Sequence, residues 1–326
     1  MPKTLVIALG GNAITRSGEP GTIPQQFEHT AETLEHLKPL FHSECRLLIT
    51  HGNGPQIGNI LIRVEEGERR VPRLPLDTCD ADCQGGMGYM IQRLARELFH
   101  RERIRREVAT VITQVLVDRN DPDFANPSKP IGSFYTADEI GPLLQAEKPN
   151  WVIREIGKGR FRRVVPSPRP LKILECEAIA CLLDAGIVAI ACGGGGIPVT
   201  WEGDRLIGIE AVVDKDLASS LLATQVRAHK LIIVTSVERV AVRFSQAGQQ
   251  WLDTVTVQQA RDYLAAGEFP PGSMGPKIEA AIDFIEHGGE ECIITSTEHV
   301  ANAVRGEGGT HIVASRGRAA NLEFLQ

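Results

Sequence analysis

The chain has 326 residues, long enough for one large α/β domain or two smaller ones, and for a sizeable core without disulfide or metal staples. Lys and Arg total 35 against 41 Asp and Glu, a net charge of −6, which argues against a nucleic-acid binder relying on phosphate neutralisation but leaves open small anionic ligands, which need only a few local cations. With 42% hydrophobic and 23% charged residues the composition excludes bulk disorder, and the 32 glycines are in excess.

Residues 1–11 (MPKTLVIALGG) lack the apolar segment and cleavage site of a secretory leader. Residues 178–199 are apolar, but Asp184, Gly186 and four consecutive glycines make them helix, turn, strand and loop rather than a membrane span. Seven cysteines, an odd number with no CxxC, read as free thiols of a cytoplasmic protein. Cys79 and Cys83 lack the second pair a zinc site needs, and no metal-ligating set is expected.

In chain order, residues 5–9 (LVIAL) are the first expected strand. Phe27, Ala31, Leu34 and Leu37 keep a helical period until Pro39 disturbs it. Residues 47–50 form the next strand. Met90, Leu94 and Leu98 mark a helix with a charged outer face. Further strands are expected at 109–113, 187–191, 231–235 and 292–295, and helices at 217–224 and 277–286. Strands this apolar, separated by helices, predict an α/β fold: a three-layer αβα sandwich around a mostly parallel sheet. Residues 119–170 interrupt the rhythm with Pro- and Gly-rich stretches and a hairpin pattern around Gly157 to Gly159. This segment is expected to be an inserted, protruding lid on a body spanning 1–313, with 314–326 a C-terminal tail.

Three glycine-rich loops directly follow apolar strands: Gly10-Gly11-Asn12, His51-Gly52-Asn53-Gly54, and Gly193-Gly194-Gly195-Gly196. Any one alone is most simply a tight turn. Three at one sheet edge would present bare peptide N–H groups to an anion. There is no GxxxxGK[ST], no dinucleotide GxGxxG, no GxSxG and no HExxH. His51 reads as a loop-bonding histidine. Lys129 lies within the lid, Lys215 between Asp214 and Asp216 before a helix, and Lys277 at another helix start. A lysine at a helix start opposes the helix dipole, so the placement makes sense if an anion is held there. Such a set suits phosphoryl transfer, in which catalysis is mostly positioning and electrostatics. Asp214 is expected to hold neighbouring lysines in register.

At these residues the sequence resembles the carbamate kinases of the amino-acid kinase superfamily. The motifs are ALGGNA, THGNGPQIG, QGGMGYMIQ, NPSKPIG, RRVVPSPRP, ACGGGGIPV, EAVVDKDLAS and PPGSMGPKIEAA, in order across nearly the whole chain. The resemblance implies a homodimer that interconverts ATP plus carbamate with ADP plus carbamoyl phosphate, using Mg²⁺, often in the ATP-forming direction of arginine or purine breakdown. The acidic balance and the broken apolar stretch at 178–199 predict no nucleic-acid or membrane partner. Gly10, Gly11, Asn12, Gly52 and Asn53 would hold the carbamoyl and transferred phosphoryl groups. Lys215 would stabilise the charge in flight, oriented by Asp214, with Lys277 on the ATP phosphates and Lys129 entering from the lid. Gly193, Gly194, Thr235, Val240 and Met274 would face the nucleotide. Three positions depart from the pattern: Ser236 replaces an Asp, Asp80 a Gly and Cys83 a Ser. Those departures motivate two other readings, a kinase with another small acid acceptor and a non-catalytic ligand-binding homologue.

Overall fold

Strand β1 (Thr4–Leu9) is completely buried, and its period of two sends Leu5, Ile7 and Leu9 into one core and Val6 and Ala8 into another. That division sets the architecture in the computed structural model, which describes residues 2–16, 18–148, 150–270 and 272–315. Residues 316–326, most of the expected tail, lie outside the described residues.

The chain continues through α1 (Ile23–His42), β2 (Arg46–His51), α2 (Gly54–Gly67), α3 (Leu76–Glu102), β3 (Val108–Thr110), β4 (Gln114–Val117), β5 (Lys129–Tyr135), α4 (Ala137–Pro142), β6 (Val152–Gly157), β7 (Arg160–Val165), β8 (Pro170–Ile173) and α5 (Cys176–Asp184). The second half holds β9 (Val188–Ile190), β10 (Ile197–Glu202), β11 (Arg205–Gly208), α6 (Lys215–Gln225), β12 (Lys230–Thr235), β13 (Val240–Val242), β14 (Gln250–Leu252), β15 (Thr254–Thr256), α7 (Val257–Ala265), α8 (Met274–Glu286), β16 (Glu291–Ser296), α9 (Val300–Val304) and β17 (Thr310–Val313).

The main sheet runs β15-β17-β16-β12-β1-β2-β9-β3 and is parallel except between β16 and β17. On one face α1 and α3 cover it through Leu34, Leu37, Phe41, Ile91 and Phe99. On the other face α5, α6 and α8 cover it through Ile179, Leu222, Ile282 and Phe284. Each such side chain stabilises the fold by roughly 1.5–3 kcal/mol when fully buried. The expected three-layer α/β sandwich is what the chain forms.

Two local expectations give way. Helix α1 runs straight through Pro39, because the proline falls in its last turn on an exposed face, where the freed carbonyl can meet water. Its start is fixed by a capping box, with the Thr22 hydroxyl accepting from Gln25 N–H and the Gln25 side chain accepting from Thr22 N–H. The stretch expected as one strand at 109–113 divides instead. β3 ends at Thr110, Gln84 brackets the Thr113 peptide through both ends of its carboxamide, and β4 enters a second sheet of order β11-β10-β4-β8.

Within residues 119–170, β5, β7 and β6 form a three-stranded antiparallel sheet. Trp151 ties this sheet to the body, with the guanidiniums of Arg163 and Arg73 and the Lys148 ammonium 4.6, 5.8 and 5.6 Å from its ring centre. Lys148 also donates to Glu68 at the end of α2, at 2.6 and 2.7 Å.

Candidate active site

Strands β1, β2 and β9 are neighbours in the main sheet, so the three glycine loops that follow them emerge side by side at its carboxyl edge. The loop after β12 joins them from the other side of β1. Ligands in open α/β sheets settle beyond this edge. Here it forms the floor of a cavity of about 640 Å³, with the start of β5 and the N-terminal ends of α6 and α8 completing the wall.

Helix α6 begins at Lys215, two residues earlier than its apolar period suggests, because Asp214 caps it. One Asp214 carboxylate oxygen accepts from Asp216 N–H at 2.9 Å, and the other accepts from the Lys129 ammonium at 2.9 Å. Asp216, in the first turn, receives two ammoniums: Lys215 at 2.6 Å on one oxygen and Lys277, from α8, at 2.8 Å on the other. The expectation that Asp214 orients Lys215 is therefore corrected. Asp214 serves Lys129, and Asp216 serves Lys215 and Lys277. Burial alone would raise the Asp216 pKa, but the two ammoniums outweigh it and hold the group down at about 2.

The glycines leave room for these side chains. A Cβ on Gly52 would stand 3.2 Å from Lys215 Cδ and 3.7 Å from Gly11 N, so the lysine stem crosses the first two glycine loops. Gly194 adopts φ +68°, and a Cβ there would strike the Asn53 carboxamide at 2.2 Å. Asn53 is buried yet lines the cavity, and its Nδ2 donates to Asp80 Oδ1 at 3.2 Å. His51 is buried, with Nδ1 3.3 Å from the Gly52 carbonyl, and burial pushes its pKa down to about 4.

Gly10, Gly11, Gly52, Asn53, Gly194, Lys129, Asp214, Lys215, Thr235, Met274 and Lys277 all line the one cavity. Asn12 belongs to the 3-10 turn Gly11–Ala13, and its side chain, like Pro271, lies outside the described residues. Val240 is corrected: its side chain is buried in the core and its N–H donates to Thr310 Oγ1 at 2.8 Å, while its neighbours Arg239 and Ala241 line the cavity. Gly193 and Gly194, expected on the nucleotide side, pack against His51 and Asn53, beside the turns expected to hold the acceptor. Sequence reasoning missed Asp216, although the Asp214-Lys215-Asp216 triplet carries it. It also missed Arg239, Phe244 and Phe269, which line the cavity with Thr235 and Met274. Phe244 is half exposed there, with Trp251 edge-on at 6.4 Å between ring centres.

The arrangement can bind polyphosphate and neutralise a migrating phosphoryl group. Comparisons with known proteins agree with that chemistry. The profile of the amino acid kinase family matches residues 3–296. The chain is 42% identical to a carbamate kinase of Pyrococcus horikoshii over 314 residues, covering 96% of this chain and 99% of the relative. It is 45% identical to carbamate kinase 2 of Staphylococcus aureus, with the same coverage. The structure of the Giardia lamblia carbamate kinase bound to AMP-PNP superposes with a TM-score of 0.91 at 36% identity, covering 96% of this chain and 98% of the other. The chain belongs to the amino acid kinase family and, within it, to the carbamate kinases.

Proposed function

We propose that the chain catalyses reversible phosphoryl transfer between ATP and carbamate, giving ADP and carbamoyl phosphate. The observation that carries this reading is the meeting of Lys129, Lys215 and Lys277, from three distant segments, on Asp214 and Asp216 beside the glycine turns. Lys215 neutralises charge on the transferring group while peptide N–H groups of the first two glycine loops hold its oxygens. Lys277 holds the nucleotide phosphates, and Lys129 enters with β5. The acceptor oxygen of carbamate is already anionic, so the reaction needs no general base. His51, the histidine in the glycine loops, has a pKa of only about 4 and is neutral under working conditions.

Mg²⁺ enters this reading as part of the nucleotide complex. Asp214 and Asp216, the aspartates among the lysines, already carry ammoniums, so they do not form a resident metal cage. Residues 119–170 are proposed to act as a lid that brings Lys129 to the phosphates. A cytoplasmic homodimer making ATP during arginine breakdown completes the proposal. Exposed Ile23, Ile62 and Tyr89 on α1, α2 and α3 support self-association.

Incubation with ADP, Mg²⁺ and carbamoyl phosphate should yield ATP, and a Lys215→Ala control should not. Absence of ATP above background from the native chain would overturn the assignment. Binding of carbamoyl phosphate without turnover would favour the non-catalytic reading instead.

A further inference from the structure

Asp80, one of the three departures in the motif pattern, reaches Asn53. Asp80 sits one turn into α3 with 4% of its surface exposed, and among the described residues no Lys, Arg or His pairs with it. A buried carboxylate without a cation is costly, and a merely structural position would be filled by an apolar side chain. Its hydrogen bond is to Asn53 Nδ2, at 3.2 Å. Gly194 packs against the carboxamide, with no room between them even for a methyl group, and the Asn53 nitrogen is the amide atom nearest it. The amide nitrogen of Asn53 is thus turned toward α3. Among the described residues the Asn53 oxygen accepts no hydrogen bond and is not one of the buried side-chain oxygens left without a partner, so it is the polar end of the amide still free for the cavity that Asn53 lines.

We propose that Asp80 is a positioning residue that holds the Asn53 carboxamide with its oxygen toward the acceptor, so that the site reads the amino group of the acceptor acid. This inference rests on the carbamate reading given above. A carbamoyl NH₂ donates to that oxygen, whereas acetyl phosphate offers a methyl group in the same place and leaves the oxygen unpaired.

The arrangement carries a built-in pH response. Burial, with a smaller contribution from Asp77, pushes the Asp80 pKa up to about 7, even though the Asn53 hydrogen bond pulls it down. The thiols and the histidine around it stay uncharged near neutrality. On α3, the Cys79 and Cys83 thiols are pushed up to about 11 and 12. From the β2 end, His51 stays neutral above about pH 4, and from the third glycine loop Cys192 is pushed up to about 12. Asp77, Asp82 and Glu210 are the remaining acids close to this stretch of α3, and all act on Cys79. Ionised, Asp80 accepts from the amide N–H. Protonated, it donates its O–H to the carbonyl oxygen of a rotated amide and turns the NH₂ toward the acceptor.

The test compares the native chain with Asp80→Asn and Asp80→Leu. In steady-state ATP formation at pH 8, Asp80→Leu should raise KM for carbamoyl phosphate about tenfold, with KM for ADP within about twofold of native, and should raise relative use of acetyl phosphate. In the native chain the KM ratio of carbamoyl to acetyl phosphate should rise as pH falls from 8 to 6, and in Asp80→Asn it should be flat. An equal rise in both substrate KM values for Asp80→Leu, or the same pH profile in Asp80→Asn as in the native chain, overturns the proposal. A readout independent of turnover is the ¹⁵NH₂ resonance of Asn53. It should titrate near pH 7 in the native chain and stay fixed in Asp80→Asn, and a native resonance that does not titrate also overturns the proposal. If the native chain makes no ATP from carbamoyl phosphate, the assigned reaction fails, and the resonance still decides the role of Asp80.

Discussion

Asp216 stands between Lys215 and Lys277, its two oxygens 2.6 and 2.8 Å from their ammonium groups. One carboxylate therefore spaces the two charges that the proposed reaction needs on either side of the moving phosphoryl group. Asp216→Asn should lower kcat on the order of a hundredfold, because an amide can accept from only one lysine and turns its NH₂ toward the other. Removing one partner of a buried charge cluster costs about 3–5 kcal/mol, so the melting temperature should fall too. Steady-state kinetics and a thermal melt check both, and unchanged kcat would contradict the spacing role.

Lys215 and Lys129 should fail differently. Lys215→Ala should cut kcat a hundredfold or more while ADP binding, read by calorimetry, changes little, since in the proposed reaction its charge acts most on the transferring group. Lys129 is more exposed and arrives on β5, so Lys129→Ala should act mainly on KM. An equal loss of ADP affinity in Lys215→Ala would reject a transition-state role.

Gly194→Ala tests the third glycine loop. A side chain at φ +68° costs roughly 1–2 kcal/mol in backbone strain. Its Cβ would also meet the Asn53 amide at 2.2 Å, so that side chain must move. The expected outcome is a several-fold rise in KM for carbamoyl phosphate with KM for ADP unchanged, read from initial rates.

His51 and Asp80 should give stability opposite dependences on pH. Burial lowers His51 from 6.5 to about 4, so between these values the unfolded chain binds more protons and stability rises with pH, by on the order of 3 kcal/mol. Asp80 is raised from 3.8 to about 7, so the folded chain binds more protons there and stability falls as pH rises. Melting temperatures of His51→Gln should decline from pH 4 to 7, and those of Asp80→Asn should climb from pH 4 to 6.5. Parallel curves for both variants and the native chain would refute the opposition.

Trp151 joins the three-stranded sheet to α2 through three cations around one ring. Trp151→Ala should loosen that junction, speeding limited proteolysis within residues 119–170 and lowering kcat/KM several-fold through Lys129. Proteolysis at the native rate would show that the junction does not depend on the ring.

The main sheet was legible because its strands are apolar on both faces, and a strand covered by two helical layers leaves a continuous hydrophobic run. The glycine loops were legible for a related reason: they interrupt those runs at one end only. Division of the stretch around Thr113 was not, since both halves are apolar and the break depends on Gln84, 29 residues away. The exchange of roles between Asp214 and Asp216 was hidden in the same way. Two carboxylates flank Lys215 in sequence, and which ammonium each receives depends on Lys129 and Lys277 arriving from 85 and 61 residues off. Helix capping at Asp214 carried a local hint, because a capping aspartate turns its carboxylate back to the first-turn N–H groups and away from the next residue's side chain.

The pairing of Lys129, Lys215 and Lys277 with aspartates has an electrical consequence. An incoming polyanion does not meet a naked cluster of cations; it exchanges places with carboxylates already present. The cavity's outward field is correspondingly muted, so capture of substrate should depend only weakly on ionic strength, and attraction is expressed at short range, once the visitor displaces its internal stand-ins.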